Sequence, residues 1–452
     1  MKKAFLLVLL LGGISIQLLG QQKNTKPNVL IILTDDQGYH DVSYYGTSDL
    51  QTPNIDMLCR SGMRFDRFYA NSPVCSPTRA SIMSGRYPDM VGVPGLVRSI
   101  PDDNWGYLKP DAILLPKLLK QVQYNTAIIG KWNLGLESPN LPNEKGFDYF
   151  HGWLDDMMED YRTHIRNGRN FLRENEKEIT PRGHATDLFS DWAVDYIRRQ
   201  KGSKNPFFLY LAYNAPHFPV QPPDEWLAKV KAREPDLPER RAKLVALIEH
   251  MDDGIGKVIR SLKEIGAYDN TLIIFLSDNG GYLQNGANNG NLRDGKESMY
   301  EGGIRVPAFF VWPNHIKPNV SNTQTALAMD IYPTIADITG AKITHKIDGI
   351  SLLPLLKNAN EVLSPRPVFF TRREGNLRYG GQTIQAVLYG DMKLLQNSPY
   401  EPYELYNLYQ DPTEQRNLIN YQPDQHKKLQ QLLMKHIQES GSVPWQKPQD
   451  VH

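Results

Sequence analysis

The sequence predicts an α/β protein. A large mixed, mainly parallel sheet flanked by helices should be followed by a smaller C-terminal subdomain of antiparallel sheet plus helix. Three observations carry that expectation. The runs 28-NVLIILT-34, 125-NTAIIG-130, 206-PFFLYLAY-213 and 270-NTLIIFLS-277 are continuously apolar, as strands covered on both faces are. Helical spacing separates them, and strands alternating with helices give a largely parallel sheet. Past about residue 355 the pattern changes to short strand-like runs split by Gly and Pro, and then to one helix.

At the N-terminus Lys2 and Lys3 precede the apolar run 4-AFLLVLLLGGISI-16, with Gly20 before a cleavage point. This is the pattern of a secretory signal over residues 1–20. The alternative, an uncleaved anchor, is disfavoured because the run is short for a full span. No cysteine follows it, which argues against a lipoprotein anchor. The mature chain is therefore expected to be exported, periplasmic or secreted, with no stable membrane insertion.

After the first strand, Ile55, Leu58 and Cys59 share a helical face. A second helix is expected over 77–84, with Pro77 as its first residue and Gly85 as its stop. The clearest helix is 243–266, where Leu244, Ile248, Met251, Ile255, Val258, Leu262 and Ile265 recur at helical spacing and Gly266 stands at the C-cap. Residues 364–396 read as a small antiparallel sheet and 425–440 as a helix. The expected division is an N-terminal α/β domain over 21–364 and a C-terminal α+β subdomain over 365–452.

Among 452 residues, 51 Lys and Arg balance 50 Asp and Glu, a net charge of +1. A general nucleic-acid or anionic-membrane binder would be markedly basic, so neither partner is expected. Cys59 and Cys75 are the two cysteines in a chain expected to meet an oxidising compartment. Either they pair, or Cys59 is a buried structural thiol and Cys75 has another purpose.

Each of the four strands is followed at once by a polar group: Asp35-Asp36, Lys131, His217 and Asp278-Asn279. Ligands of open α/β sheets bind beyond the carboxyl ends of the strands, so one rim collects acid, base and cation. Asp35, Asp36, Asp278 and Asn279 form an all-oxygen set without Cys or His, which suits Ca²⁺ or Mg²⁺ and not Zn²⁺. Cys75 falls at a helix N-terminus, where backbone N–H groups and the dipole favour an anion, and Arg79 adds a fixed positive charge. That describes a site for an oxyanion with a nucleophile aimed at it.

At these residues the chain resembles the formylglycine-dependent sulfatases, a family of the alkaline phosphatase superfamily. The 75-CSPTR-79 stretch followed by 85-GRYP-88 is similar to the family's signature. The blocks 35-DDQG-38, 130-GKW-132, 215-APH-217, 277-SDNGG-281 and 296-KESMYEGGIRVP-307 follow in the family's order. The 403-YELYNLYQDPTEQRNL-418 stretch looks like its usual C-terminal region, so the resemblance spans nearly the whole mature chain.

The resemblance implies an alkaline phosphatase-like fold and an exported sulfuric ester hydrolase. It implies that a formylglycine-generating or sulfatase-maturing enzyme oxidises Cys75 to formylglycine. Asp35, Asp36, Asp278 and Asn279 would bind one Ca²⁺, with residue 75 as a further ligand. The hydrated aldehyde, a gem-diol, would attack sulfur through one hydroxyl, with Arg79 holding the diol. Lys131 and Lys296 would hold sulfate oxygens, and His217 would protonate the leaving alcohol. The second hydroxyl would then expel sulfate and restore the aldehyde.

The chain departs from the family in 131-KWNLG-135, where Asn133 stands in place of a histidine that is a candidate base for the last step. Asparagine cannot take a proton at neutral pH, which puts that step in question. Two other readings compete. A phosphatase or phosphodiesterase of the same superfamily would want histidine ligands for a zinc pair and a Ser or Thr nucleophile. A decayed sulfatase would only bind sulfated glycans. The expected substrate is a sulfated sugar, attacked at chain ends or in oligosaccharides, in a pocket partly closed by the C-terminal subdomain. In 371-TRREGN-376, Arg372 and Arg373 are candidates for holding sulfate or uronate and Glu374 for accepting from sugar hydroxyls. His151, Trp105 and Arg293 are weaker candidates of the same kind. The sugar, the sulfated position and the oligomeric state are not legible.

Overall fold

A computed structural model describes residues 26–375 and 383–448; the leader at 1–20 and Asn376 lie outside the described residues. A ten-stranded sheet organises the larger part. At its centre five strands run parallel in the order Thr271–Ser277, Asn28–Thr34, Phe207–Ala212, Asn125–Lys131 and Tyr149–Trp153. Asn28–Thr34 pairs along its whole length with Thr271–Ser277, residue against residue. The central strands are apolar throughout because both faces are covered: Val29 to Leu33 and Leu272 to Leu276 are entirely buried. Each such side chain contributes about 1.5–3 kcal/mol on burial. Shorter strands, mostly antiparallel at their junctions with this block, extend the sheet on both sides.

Helices cover the faces. The Glu239–Glu264 helix buries Leu244, Ile248, Met251, Ile255, Val258 and Leu262, one stripe at helical spacing. It ends two residues before Gly266, which takes the left-handed conformation (φ 71°) just past the cap. The Pro53–Ser61 helix buries Ile55, Leu58 and Cys59. Both cysteines are free and buried, so the Cys59–Cys75 pairing is not formed. No helix among the described residues is long and apolar enough to cross a membrane.

A separate four-stranded antiparallel sheet follows, in the order Val368–Arg373, Thr383–Tyr389, Met392–Gln396 and Glu404–Asn407. The Pro423–Ser440 helix packs on it through Leu429 and Leu433. The small sheet is fastened to the large part by charge as well as by apolar contact. Lys393 is fully buried, 2.9 Å from Glu301 and 2.8 Å from Glu414. Tyr69 donates to Glu301, and the Glu301 backbone N–H donates to Glu414. Burial pushes Glu414 up to about 7, whereas Lys393 and Arg305 outweigh burial and hold Glu301 below its usual range.

Removing the cation would leave buried acids facing each other. Lys393→Ala is therefore expected to cost about 3–5 kcal/mol of stability. Denaturant unfolding of the whole chain reads this out. A loss indistinguishable from that of an exposed lysine variant such as Lys229→Ala would show that Lys393 is not a fastener.

Candidate active site

The carboxyl ends of the central strands converge on Cys75. Asp35 and Asp36 follow Asn28–Thr34, and Asp36 turns the chain through a left-handed conformation (φ 67°), which an aspartate tolerates. Lys131 ends its strand after Gly130, where a Cβ would meet the Ala212 carbonyl oxygen at 1.9 Å; only glycine lets the strands close up at this point. His217 follows the Phe207–Ala212 strand, and Asp278 and Asn279 follow Thr271–Ser277. The Cys75–Ser84 helix opens on Cys75 itself and closes on Gly85 (φ 67°). Its first helical residue is thus Cys75 and not Pro77. Pro77 still lies in the first turn, where its missing N–H has no intrahelical partner to lose.

Charges alternate around Cys75. Its Sγ lies 3.2 Å from Asp35 Oδ1. Lys131 Nζ donates to Asp35 Oδ2 at 2.6 Å. Arg79 donates to Asp278 Oδ2 from Nε at 3.0 Å and from Nη2 at 2.6 Å, and from Nη1 to the Lys131 carbonyl at 3.1 Å. Lys296 Nζ donates to Asp36 Oδ2 at 2.8 Å and lies 3.2 Å from His217 Nε2. His217 Nδ1 faces the Phe218 carbonyl at 2.7 Å, so Nδ1 carries the hydrogen and Nε2 points to Lys296 and Asp36.

Burial pushes the Asp35 carboxyl up, but Lys131, His217 and Arg79 outweigh it and hold the group far below the usual carboxylate range. Asp278 goes the other way: burial and the neighbouring Asp35 charge push it up to about 7. Burial and Lys296 push His217 down. The Cys75 thiol is pushed far up by burial and by Asp278 and Asp35. An unmodified thiol in that state is a poor nucleophile.

The oxygen set fits a divalent cation. Asn279 turns its Nδ2 to Asp36 Oδ1 at 2.8 Å and to the Gly280 carbonyl at 2.9 Å, leaving Oδ1 buried with no protein partner. Asp35, Asp36, Cys75 and His217 offer ligand atoms all within 4.8 Å of one another. Three carboxylates here are matched by Arg79, Lys131 and Lys296. A divalent cation would leave the site positive, as a site for an anionic ester needs to be.

Asn133 is buried in a left-handed conformation (φ 55°), with Nδ2 donating to the Val97 carbonyl at 2.8 Å and Oδ1 unpartnered. Glu374 and Arg372 are buried at the edge of the site. Glu374 accepts from the Leu96 N–H at 3.0 Å, Leu96 packs on Cys75, and Arg372 reaches Glu374 at 3.1 Å and Glu297 at 3.3 Å.

The structure does not bring Arg373 there. Neighbouring strand residues point to opposite faces, and Arg373 turns to Asp89 and Ser440. Trp105 lies beside this edge, stacked on Trp445 and covering Gly375. Arg293 is engaged with the C-terminal subdomain, over the Tyr300 ring and donating to Tyr406 and the Glu414 carbonyl. His151 stacks on Trp192 in another surface cleft, with Tyr149, Glu174 and Arg199.

Three further residues that the sequence did not single out reach this rim. The fifth parallel strand, 149-YFHGW-153, delivers Asp155 and Asp156 to the same rim. Arg98 joins Asp156 at 3.4 Å to Glu374 at 3.4 Å. The signal is an acidic pair one residue beyond a strand, but aromatic, His and Gly content hides the strand.

A buried cysteine at a helix N-terminus, ringed by hard oxygens and lysines, suits a hydrolase of anionic esters. The Sulfatase family profile matches residues 27–341, and that of N-sulphoglucosamine sulphohydrolase, C-terminal, matches 293–442. N-acetylgalactosamine-6-sulfatase of Sus scrofa is 32% identical over 389 residues, 81% of this chain and 71% of that protein. A sulfatase of Formosa agariphila is 30% identical over 482 residues, 89% of this chain and 86% of that protein. Ps i-CgsB is 33% identical, with a TM-score of 0.85 and coverage of 94% and 96%. Its complex with k-i-k-neocarrahexaose is 32% identical, with the same TM-score and coverage. The chain belongs to the formylglycine-dependent sulfatase family of the alkaline phosphatase superfamily, and it is a sulfuric ester hydrolase.

Proposed function

We propose that this protein is an exported sulfatase that removes sulfate from a carbohydrate, acting on glycan ends or oligosaccharides. Cys75 is converted to formylglycine, and Asp35, Asp36, Asp278 and Asn279 hold one calcium ion. The observation that carries the reading is the placement of Cys75. It sits at a helix N-terminus between Asp35 and Arg79, in surroundings that disable it as a thiol.

When bound, calcium supplies positive charge to the sulfate, and the hydrated aldehyde supplies the attacking hydroxyl. The chain's own residues do the rest. Arg79 is locked by Asp278 and the Lys131 carbonyl, so it presents its charge to residue 75 without reorganising. Lys131 and Lys296 neutralise the negative charge that grows on the sulfate oxygens. His217 holds its Nδ1 hydrogen on the Phe218 carbonyl, and in its protonated, imidazolium form it gives the second proton, on Nε2, to the leaving alcohol oxygen as the S–O bond breaks. Asn133 holds the Val97 backbone of the wall and takes no proton.

The carbohydrate assignment draws on the relatives. One acts, by its name, on N-acetylgalactosamine 6-sulfate, and another binds a neocarrahexaose. The C-terminal subdomain, from residue 365, adds Arg372 and Glu374 to the edge of the pocket.

Protein made beside a sulfatase-maturing enzyme should give a tryptic peptide with an aldehyde at position 75. It should also desulfate at least one of N-acetylgalactosamine 6-sulfate, glucosamine 6-sulfate, fucose sulfates and k-i-k-neocarrahexaose faster than 4-nitrophenyl sulfate. A peptide that always carries free cysteine would end the formylglycine reading, and aryl sulfate outrunning every sugar would end the carbohydrate one.

A further inference from the structure

We propose that Phe218 and Tyr282 form an aromatic platform that binds the ring of the leaving group beside the sulfate, a contact that rests on the sulfatase reading above. The general acid fixes which side of the site this is. His217 must reach the bridging oxygen, so the group released through that oxygen lies next to His217. Phe218 is the following residue, and its ring stacks on the His217 ring at 4.4 Å. Tyr282 comes from the loop after Asp278 and Asn279, with its ring 6.3 Å from that of Phe218 and tilted by 37°. Lys296 lies between them, its Nζ 6.0 Å from the Phe218 centroid and 5.9 Å from the Tyr282 centroid. Lys296 also touches His217 and Asp36, so both rings adjoin the polar floor that holds the sulfate.

The rings are open to solvent where the floor is not. Phe218 keeps 37% of its surface exposed, while His217 keeps 6% and Lys131 none. Tyr282 is partly exposed, and its hydroxyl is tied to Gln284 at 2.8 Å. A single exposed aromatic needs no explanation, but two from separate loops, flanking an acid and a buried lysine, make a surface that an apolar ring face can cover. The C–H face of a sugar ring fits it. The sulfate of the same molecule would be anchored on Lys296 and Lys131, and the ring hydroxyls would point away from the aromatics. The platform thus selects for a cyclic leaving group, through KM.

The test uses the matured enzyme with N-acetylgalactosamine 6-sulfate, k-i-k-neocarrahexaose and 4-nitrophenyl sulfate as substrates. Inorganic sulfate serves as a competitive inhibitor that touches only the polar floor. Phe218→Ala and Tyr282→Ala should each raise KM for ring-bearing substrates by about tenfold, the worth of one covered ring face. The inhibition constant of inorganic sulfate should stay where it is, and Phe218→Trp, which keeps a ring, should restore KM.

A fall in kcat with KM unchanged would make Phe218 a positioning residue for His217 and overturn the platform. Equal weakening of substrate and inorganic sulfate would show a collapsed floor and overturn it too. If the wild type turns over 4-nitrophenyl sulfate alone, the carbohydrate reading fails by itself. The platform is then judged on the aryl ring's KM.

Discussion

Asp278→Ala is expected to lower kcat/KM by roughly a thousandfold and to remove bound calcium with the activity. The carboxylate has two tasks. In the proposed calcium set it is one of the oxygen donors, and it takes two hydrogen bonds from Arg79, at 3.0 and 2.6 Å. Its loss would therefore leave Arg79 to swing toward Asp35, 3.5 Å away, and compete with Lys131 for it. It would also deprive the Arg79 guanidinium of its closest carboxylate partner in a fully buried setting, at about 3–5 kcal/mol of stability. The expected loss of fold stability makes Asp278→Asn the necessary companion. The amide keeps the volume and one acceptor oxygen for Arg79, but it lacks the charge that the cation requires. Metal analysis and turnover should fall together in both variants. Stoichiometric calcium in Asp278→Asn, with activity near wild type, would remove Asp278 from the metal set. Stoichiometric zinc in the wild type would overturn the assignment altogether.

The parts of the fold that the sequence declared most clearly are those where one physical cause dominates. The four central strands are covered on both faces, so their apolar runs are unbroken, and Asn28–Thr34 and Thr271–Ser277 begin and end within a residue of the expected bounds. The Tyr149–Trp153 strand was illegible because its burial comes from aromatic packing and a glycine that lets it lie against Gly130, where an added Cβ would meet the Gly130 oxygen at 2.0 Å. The rim was legible because strand ends deliver side chains to one edge whatever the loops do. The partners of Arg372 and Arg373 were not, because they depend on the pleat of a strand whose register is set by the distant Thr383–Tyr389 segment. For the same reason nothing near Lys393 in the chain announced a buried cation: Glu301 and Glu414 arrive from elsewhere. Phe218 and Tyr282 were equally silent, since neither aromatic has meaning until the two loops meet beside His217.

His217→Ala should divide substrates by the quality of their leaving group. A sugar alkoxide is a strong base, and its departure requires a proton in the transition state; a nitrophenolate leaves without one. General acid catalysis is worth roughly a hundredfold to ten-thousandfold. The variant should accordingly lose about a thousandfold in kcat on its best sugar sulfate and only about tenfold on 4-nitrophenyl sulfate. The free enzyme holds His217 neutral, because burial and the Lys296 charge both push it down. The Nε2 proton it donates therefore has to be taken up with the substrate, whose negative charge lies against Lys296 and offsets its repulsion. Removing that repulsion through Lys296→Ala should then shift the alkaline limb of the kcat/KM profile upward while lowering the rate. Sign and cause agree: an imidazole relieved of a neighbouring cation keeps its proton to higher pH. If His217→Ala costs the same factor on both substrate classes, His217 serves to orient the sulfate, and the leaving oxygen takes its proton from another group.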